Sequence, residues 1–562
     1  MNFSKKTLIS VTAVIACIAV LDSSLSGSVF AAPTDGSLDT AFGNALFPGR
    51  TGTNVGAPNS ADYAYSMAVQ SDGKILVAGV TGNDFAVLRY KTDGSLDTSF
   101  DTDGKAITDI GTNTIDDARG IALQSDGKIL VAGTTTTGST SDFVVVRYNT
   151  DGILDPTFGT DGKTVTDIST NSVDNAHSMA LQADGKILVA GSAILEVVPD
   201  FAVVRYNTNG SLDPTFDTDG KVITNINDVD EAYSVAVQAD NKIIVAGYSA
   251  GDFGVVRYNT NGSLDPTFGT DGKAVTVINA NSVDNAYSMV LQADGKILVA
   301  GKTATVSDIG TTSDFVVVRY NTNGSLDPTF DTDGKVITNI NDVDEAYSVA
   351  LQADNKIMVA GNTKSTGRNK DFAVMRYSPN GSLDSTFDGD GITTTDGVQN
   401  SDDDAHAIAV QSDDKILIAG STNFGSSYDF ALVRYNATRN IVATSPTTTV
   451  ISTTTTIPAT TTTVISTTTI PATTTTVVKK KSAPVVSISK PITAKSIAIY
   501  LNLAVSSTSQ LSISVSSVSA KYCTVSGTKL KALKAGSCKV TIKVIPKKGK
   551  TVSKTVTLKT TK

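Results

Sequence analysis

The sequence predicts an all-β fold: a seven-bladed β-propeller of four-stranded blades, closed by an N-terminal strand and followed by a small C-terminal β-sandwich-like domain. Two observations predict the propeller. Three motifs recur seven times in a fixed order within residues 33–440. The last unit lacks one of these motifs, and the missing copy precedes the first unit. Blades arranged around an axis, with the chain cut inside one blade, account for both observations.

Each repeat contains four short strand candidates separated by Gly, Asn and Asp turns. Their sequences are of the types Ala-Tyr-Ser-Val-Ala-Leu-Gln, Lys-Ile-Leu-Val-Ala-Gly, Phe-Ala-Val-Val-Arg-Tyr and Gly-Lys-Val-Ile-Thr. The second type is apolar without alternation, so both of its faces must be covered, which neighbouring blades would do. A right-handed β-solenoid is the alternative, although solenoid coils are usually shorter. The Arg-Tyr pair marks the repeats at Arg89, Arg147, Arg205, Arg257, Arg319, Arg376 and Arg434.

Ring closure is predicted from the Gly-Ser-Leu-Asp element that follows Arg-Tyr. Six repeats carry it, one of them in the variant form Gly152-Ile153-Leu154-Asp155. The last pair, Arg434-Tyr435, has no such element after it, whereas a copy stands at Gly36-Ser37-Leu38-Asp39. We therefore expect the N-terminus to supply the outer strand of the last blade.

Three motifs carry a family resemblance. They are Asp-Gly-Lys-Ile-Leu-Val-Ala-Gly, Asp-Phe-x-Val-x-Arg-Tyr and Gly-Ser-Leu-Asp-x-x-Phe, and they recur between Thr34 and Asn436. In these motifs the chain resembles the delta-60 repeat family of bacterial extracytoplasmic β-propellers. The resemblance implies the propeller fold and a location outside the cytoplasm, and it transfers no catalytic motif.

Residues 1–31 have the pattern of a signal peptide. Lys5 and Lys6 precede an apolar run from Thr7 to Leu21, and a small-residue cleavage site ends at Ala31. Lipidation at Cys17 is the alternative. We expect a secreted, extracellular protein with no membrane-spanning segment in its mature form, and association with the cell wall is a further expectation.

The C-terminal part differs sharply in composition from the repeats. Residues 441–482 are rich in Thr with interspersed Pro, which predicts a disordered stalk. Residues 483–562 show alternation again, as in Lys539-Val540-Thr541-Ile542-Lys543-Val544, and with Cys523-Thr524-Val525 they resemble a small bacterial immunoglobulin-like module.

Charge is distributed very unevenly along the chain. Of the 46 Lys and Arg residues, 17 lie between Lys479 and Lys562, a segment without Asp or Glu. The rest of the chain has 29 basic and 55 acidic residues, a net charge of −26. So pure a basic run predicts an anionic cell-envelope polymer as partner of the tail, rather than a specific nucleic acid.

After export, two cysteines would remain. Cys523 and Cys538 form an even pair in an oxidising compartment, which predicts a disulfide. A pair of reactive thiols is the alternative.

Acidic residues recur just before the first strand of each blade. In a propeller these positions share one face with the connections between second and third strands, whose lengths vary from 4 to 12 residues. Variable loops on a rigid frame commonly carry binding sites. Turn capping and binding of a metal or cationic ligand are the two roles left open. The seven candidates are Asp62, Asp116, Asp174, Asp230, Asp284, Asp344 and Asp403.

Other polar patterns point to structure before chemistry. The segments 207–213 and 217–220 space oxygen donors as calcium loops do, but they also fit ordinary hairpin turns. Asp84, five residues before Arg89, is expected to form an internal pair with it. His177 and His406 occupy a repeat position that holds Tyr elsewhere, which indicates a structural role.

The sequence contains no Ser-His-Asp set, zinc spacing or phosphate loop. We therefore expect a monomeric, non-enzymatic binding or adhesion protein that presents a propeller face to an extracellular glycan or protein. It would need no cofactor, with Ca²⁺ left open. The alternative is a secreted, carboxylate-based glycan-active enzyme, either a hydrolase or a lyase.

Overall fold

The computed structural model describes residues 34–437, except 45, 58–59, 171, 196, 308–309, 366, 398–400 and 424–426, together with seven strands between residues 486 and 561. The predicted signal peptide (1–31) and stalk (441–482) lie outside the described residues. The chain divides into two compact units, Met1–Ser445 and Pro446–Lys562. Within the described ranges, no helix has the length and apolarity that a membrane span requires.

The first unit is the predicted seven-bladed propeller. Each blade is an antiparallel sheet of four strands, and we number blades and strands in chain order. The first strands are Asp62–Val69, Ile115–Leu123, Val173–Leu181, Asp230–Val237, Val283–Leu291, Val343–Leu351 and Asp403–Val410. The second strands are Ile75–Thr81, Ile129–Thr137, Ile187–Ile194, Ile243–Ser249, Ile297–Ser307, Ile357–Lys364 and Ile416–Asn423.

The third strands are Asp84–Tyr90, Thr140–Tyr148, Pro199–Tyr206, Asp252–Tyr258, Gly310–Tyr320, Asp371–Tyr377 and Tyr428–Tyr435. The fourth strands of blades 1 to 6 are Lys105–Thr108, Lys163–Thr166, Lys221–Thr224, Lys273–Thr276, Lys335–Thr338 and Ile392–Thr395. Each first strand contacts the first strands of both neighbouring blades, and blade 7 contacts blade 1. The first strands therefore surround the axis.

The N-terminal segment closes blade 7, as predicted. The fourth strand of blade 7 is Arg50–Thr53, which pairs antiparallel with Tyr428–Tyr435. Leu38, from the displaced Gly-Ser-Leu-Asp element, forms a bridge with Tyr435, as Leu96 does with Tyr90 in blade 1. Two short strands, Gly43–Asn44 and Phe47–Pro48, extend the same sheet.

The hydrophobic core lies between adjacent blades. One cluster combines Leu76 and Val87 of blade 1 with Ala118 and Ile129 of blade 2, all buried. The second strands are covered on both faces, which explains why their sequences do not alternate. Burying each Val or Leu side chain stabilises the fold by about 1.5–3 kcal/mol, so every blade depends on its neighbours.

The recurring Arg has a structural role that differs from the one expected. Arg89 Nε lies 2.8 Å from Asp97 Oδ2, its guanidinium stacks over Phe100, and its Nη1 donates to the carbonyl of Thr150 in the next repeat at 2.6 Å. The expected internal pair between Asp84 and Arg89 is therefore wrong. Residues five apart on one strand point to opposite faces, so the partner must come from the following turn.

The second unit is also all-β. Val486–Ser487, Val552–Thr561, Gly536–Ile545 and Gln510–Val515 form one sheet, and Ile492–Thr493, Lys529–Ala532 and Cys523–Ser526 form another. Two sheets agree with the small β-domain expected for residues 483–562. The immunoglobulin-like relationship stays a prediction. Cys523 and Cys538 lie on strands of different sheets, and their disulfide also stays a prediction.

Candidate functional site at the axial mouth

The seven recurring Asp residues are completely buried at the starts of the first strands. Each accepts a hydrogen bond from a backbone N–H in the connection between blades, as Asp116 Oδ2 does from Ile110 N at 2.8 Å. The equivalent contacts are made by Asp62, Asp174, Asp230, Asp284, Asp344 and Asp403. All seven therefore cap turns, and ligand binding through them remains a prediction.

These Asp residues define one face of the propeller, here called the upper face. Asp62 is the cross-strand partner of Thr81, at the end of the second strand of its blade, and Asp116 is the partner of Thr135. The connections between second and third strands, which vary in length, therefore open on the same face as the buried Asp residues.

Seven side chains of the first strands form a ring around the axis, which we call the aromatic collar. Neighbouring ring centroids lie 5.0–5.3 Å apart from His177 through to Tyr65. Arg119 completes the ring, with its guanidinium carbon 3.8 Å from the centroid of Tyr65. In chain order the collar is Tyr65, Arg119, His177, Tyr233, Tyr287, Tyr347 and His406.

Both histidines belong to this collar, in agreement with their predicted structural role. Burial lowers the pKa of His177 to about 3 and that of His406 to about 4, and the positive charge of Arg119 acts in the same direction. They are therefore neutral at pH 7, and they pack against Tyr233 and Tyr347 respectively.

A second ring, here called the polar ring, lies two residues before the collar on each first strand and thus one layer nearer the upper face. Its members share partial exposure and, except for one Tyr, a carboxylate or amide group. They are Tyr63, Asp117, Asn175, Glu231, Asn285, Glu345 and Asp404. Alternation along a strand points both rings toward the axis.

The four carboxylates of the polar ring are held by neighbouring cations or tyrosines. Lys302 Nζ lies 2.6 Å from Glu345 Oε1, and Lys370 Nζ lies 2.9 Å from Asp404 Oδ1. Arg119 pairs with Asp117 at 2.5 Å. The Tyr233 hydroxyl donates to Glu231 and the Tyr347 hydroxyl to Glu345.

Burial and these contacts shift the pKa values of several groups in the two rings. Burial and the adjacent glutamates raise the pKa of Tyr233 and of Tyr347. Burial opposes ionisation of Glu345, but the charge and hydrogen bond of Lys302, the hydrogen bond of Tyr347 and the charge of Lys370 together lower the pKa of this carboxyl. The tyrosines thus stay protonated and Glu345 stays charged at neutral pH. The polar ring and the aromatic collar, together called the axial mouth, therefore present charges, hydroxyls and aromatic rings at the upper end of the axis.

One aromatic pair lies at the rim of this array. The rings of Tyr63 and Tyr428 are 5.1 Å apart and tilted by 34°. Tyr428 begins the third strand of blade 7 next to a second-to-third connection. Both rings are partly exposed on the upper face. Partly exposed aromatic rings beside charged groups offer stacking surfaces to a polar ligand.

The segments with calcium-like spacing are internally bonded turns. Asn209 Oδ1 accepts from the backbone N and the hydroxyl of Ser211. Asp213 pairs with Arg205 at 2.7 Å and with Lys186 at 2.9 Å. Asp219 Oδ1 accepts from the backbone N of Lys221. These oxygens therefore have partners within the protein.

Sequence reasoning missed the polar ring because its residue type changes from blade to blade. The position that follows each recurring Asp holds Tyr, Asp, Asn or Glu, so it does not appear as a motif. A signal was available, because residues two apart on a strand point to the same face. This position lies two residues before the collar residue and is polar in every repeat.

Seven segments of the chain match a family described as "Domain of unknown function (DUF5122) beta-propeller", at residues 70–100, 124–158, 182–216, 238–268, 292–330, 352–387 and 411–438. Each of the seven blades therefore contains one segment that is similar to this family. The matches include the second and third strands and the turn after them in six blades, and in blade 7, whose turn comes from the N-terminus, they end at residue 438. The delta-60 resemblance remains a prediction beside it. No curated protein matches the chain.

Solved structures that match the chain have low identity to it and TM-scores below 0.5. Catalytically inactive virginiamycin B lyase from Staphylococcus aureus is 11% identical and covers 68% of this chain and 98% of its own, with a TM-score of 0.39. A PL25 ulvan lyase is 12% identical over 71% and 94%, with a TM-score of 0.38. A subtype N10 neuraminidase-like protein of A/little yellow-shouldered bat/Guatemala/060/2010 is 8% identical over 69% and 99%, with a TM-score of 0.33.

Proposed function

We propose that this protein is an exported, non-enzymatic binding or adhesion protein whose axial mouth holds an extracellular glycan or protein. The observation that carries the proposal is the polar ring, in which charged groups, amides and hydroxyls converge next to the Tyr63–Tyr428 pair. Exposed aromatic rings beside polar groups bind polar ligands through stacking and hydrogen bonds.

The electrostatics of the mouth favour binding over acid–base catalysis. A general acid or base works best with a pKa near the operating pH. The pKa values of His177 and His406 fall well below this range, and those of Tyr233 and Tyr347 rise above it. Glu345 and Asp404 are held by lysines. The four groups with these shifted pKa values are poorly suited to acid–base catalysis at neutral pH, which supports a binding role, whereas burial raises the pKa of Asp117.

The test is a glycan and extracellular-protein array probed with the full-length protein, followed by calorimetry on each hit. The double variant Tyr63→Ala/Tyr428→Ala should weaken binding at least tenfold. The matched control is Ile107→Ala, because Ile107 is 45% exposed on the outer strand of blade 1. Equal affinity of the double variant and the control would place the ligand elsewhere and contradict the proposal.

The glycan-active enzyme, the second candidate, is tested in the same experiment. Each glycan hit is incubated with the wild-type protein, and reducing ends and unsaturated products are measured over time. If the wild-type protein forms product and Glu345→Gln does not, the carboxylate of Glu345 is required for turnover. The protein would then be an enzyme and the binding proposal would be wrong. A constant amount of intact glycan supports the binding role.

The basic C-terminal unit is proposed to hold the protein at anionic cell-envelope polymers. Its 17 lysines without acidic residues give it a charge opposite to that of the acidic propeller. Retention of the full chain on purified envelopes should fall steeply with added salt, because ionic attraction is screened within about 8 Å at physiological ionic strength. A chain ending at Ser445 is the control. Equal retention of both chains would contradict this role.

A further inference from the structure

Three acidic residues meet at some of the junctions between neighbouring blades. The first residue is on the third strand of one blade, the second directly follows the fourth strand of that blade, and the third is the buried Asp on the first strand of the next blade. At three junctions, one carboxylate oxygen from each residue lies within 4.8 Å of the other two. These sets are Asp84, Asp109 and Asp116; Asp142, Asp167 and Asp174; and Asp371, Asp396 and Asp403.

The residue directly after the fourth strand, here called the middle position, is not acidic at the other four junctions. At three of them it is Asn, whose side-chain amide donates to the third-strand Asp: Asn54 to Asp429 at 3.1 Å, Asn225 to Asp200 at 2.8 Å, and Asn339 to Asp314 at 2.6 Å. At the seventh it is Val277. An Asp in the middle position replaces this donor by a third negative charge.

The junction between blades 2 and 3 has a further feature. In four blades a Thr hydroxyl from the second strand donates to Oδ1 of the buried Asp, as Thr135 does to Asp116 at 2.6 Å. Asp174 faces Ala193 at this position, which has no hydroxyl. The Asp174 side chain is completely buried, and its Oδ1 has no hydrogen-bond partner; the Oδ1 atoms of Asp230 and Asp284 share this property, but at junctions without a third acid.

A buried carboxylate oxygen without a donor, beside two further carboxylates, is costly unless a cation compensates it. Lys221 of blade 3 directs its Nζ to the backbone carbonyls of Asp167 and Ile168, at 2.9 and 3.3 Å, and not to the carboxylate oxygens. Lys273 binds the carbonyl of Asn225 in the same way at 2.6 Å, so a lysine is present at both kinds of junction.

We infer that Asp142, Asp167 and Asp174 bind a divalent calcium ion between blades 2 and 3. Three carboxylates are hard oxygen ligands, which favour Ca²⁺ over softer metals. Oxygens within 4.8 Å of one another can approach a single ion together, and the flexible geometry of Ca²⁺, with Ca–O distances of about 2.3–2.6 Å, tolerates an irregular set of carboxylates better than the strict octahedron of Mg²⁺. Asp167 is exposed, so water can complete the coordination.

The contrast between junctions supplies matched variants. Asp167→Asn converts this junction to the type found at Asn225, so it should remove the ion without disturbing the fold. Asp109→Asn and Asp396→Asn remove the middle acid at the other two acidic junctions, so that one set of three remains among the described residues. Conversely, Asn225→Asp creates a set with Asp200 and Asp230, whose Oδ1 also has no partner.

The experiment titrates CaCl₂ into full-length Asp109→Asn/Asp396→Asn protein by calorimetry, with MgCl₂ as comparison. One Ca²⁺ should bind with a Kd of about 0.1–1 mM, the range of extracellular sites, and adding Asp167→Asn should weaken binding at least tenfold. Adding Asn225→Asp instead should raise the stoichiometry toward two.

Thermal unfolding in EDTA and in CaCl₂ checks folding independently. Ca²⁺ should raise the Tm of the two-substitution protein but not of the protein that also carries Asp167→Asn. Both proteins should unfold cooperatively in EDTA. Lack of calcium binding by the two-substitution protein at 10 mM, or equal binding after Asp167→Asn, would overturn the inference. Neither result would bear on ligand binding at the axial mouth.

Discussion

Asp39 and Arg434, which are 395 residues apart in sequence, form a buried ion pair with 2.8 Å between Asp39 Oδ2 and Arg434 Nε. Lys415 adds a second contact to the same oxygen at 2.6 Å. In blade 1 the equivalent residues, Arg89 and Asp97, are eight residues apart. In blade 1 the Arg–Asp pair joins neighbouring parts of one repeat. In blade 7 the same pair joins the N-terminal segment to the last repeat and so closes the ring.

Replacing Asp39 by Asn should destabilise the propeller by about 3–5 kcal/mol, because the buried guanidinium of Arg434 loses its counter-charge. The measurement is the midpoint of denaturant unfolding. Asp72→Asn is the control, since the Asp72 side chain is 56% exposed and its loss should change stability by less than about 0.5 kcal/mol. Equal midpoints of the two variants would show that this closing pair contributes little.

Deleting residues 34–49 should lower the Tm of the propeller far more than ending the chain at Ser445. The deletion removes Leu38 and Asp39 from blade 7 and leaves only Arg50–Thr53 to pair with its third strand. The C-terminal truncation removes a separate compact unit, so the propeller transition should stay where it is. Calorimetry of both proteins makes the comparison. A similar loss of Tm in both would contradict closure by the N-terminus.

The collar histidines should make the propeller less stable in mild acid. Their pKa values are lowered from 6.5 to about 3 for His177 and about 4 for His406, so between pH 6.5 and 4 protons bind the unfolded chain preferentially. The free energy of unfolding should therefore fall as pH falls through this window. The upper limit of the loss is about 1.4 kcal/mol for each histidine and each unit of its pKa shift. Asp404, Lys370, Glu345 and Arg119 act on His406 in the folded state.

The matched substitution is His177→Tyr/His406→Tyr, because Tyr fills this collar position in four other blades. Unfolding free energies of both proteins from pH 7 to pH 4.5 give the test, and their difference cancels the contribution of the carboxylates. The curve of the double variant should decline less. Parallel curves would show that the histidines do not titrate differently in the folded and unfolded states.

Cys523 and Cys538 should be joined by a disulfide in exported protein. Intact mass before and after reduction should differ by two hydrogens, and peptide mapping should find the two cysteines linked. Replacing both by Ser should lower the stability of the C-terminal unit by roughly 3 kcal/mol, the chain-entropy value for a loop of about fifteen residues. Free thiols in freshly exported protein would contradict the pairing.

The sequence by itself determined the number of blades, the four strands of each and the closure by the N-terminus. These properties follow from local motifs, since the Gly, Asn and Asp turns and the apolar second strands repeat with little variation. It also indicated a structural role for His177 and His406, because Tyr substitutes for them in other repeats.

Only the tertiary structure decided which residues meet between blades. The polar ring joins residues from seven repeats, Arg89 pairs with Asp97 rather than Asp84, and Asp142, Asp167 and Asp174 converge from two blades. The physical reason is that these contacts depend on how neighbouring sheets pack around the axis. A turn or an apolar strand follows from its own few residues, whereas a contact across a junction requires the positions of two blades together.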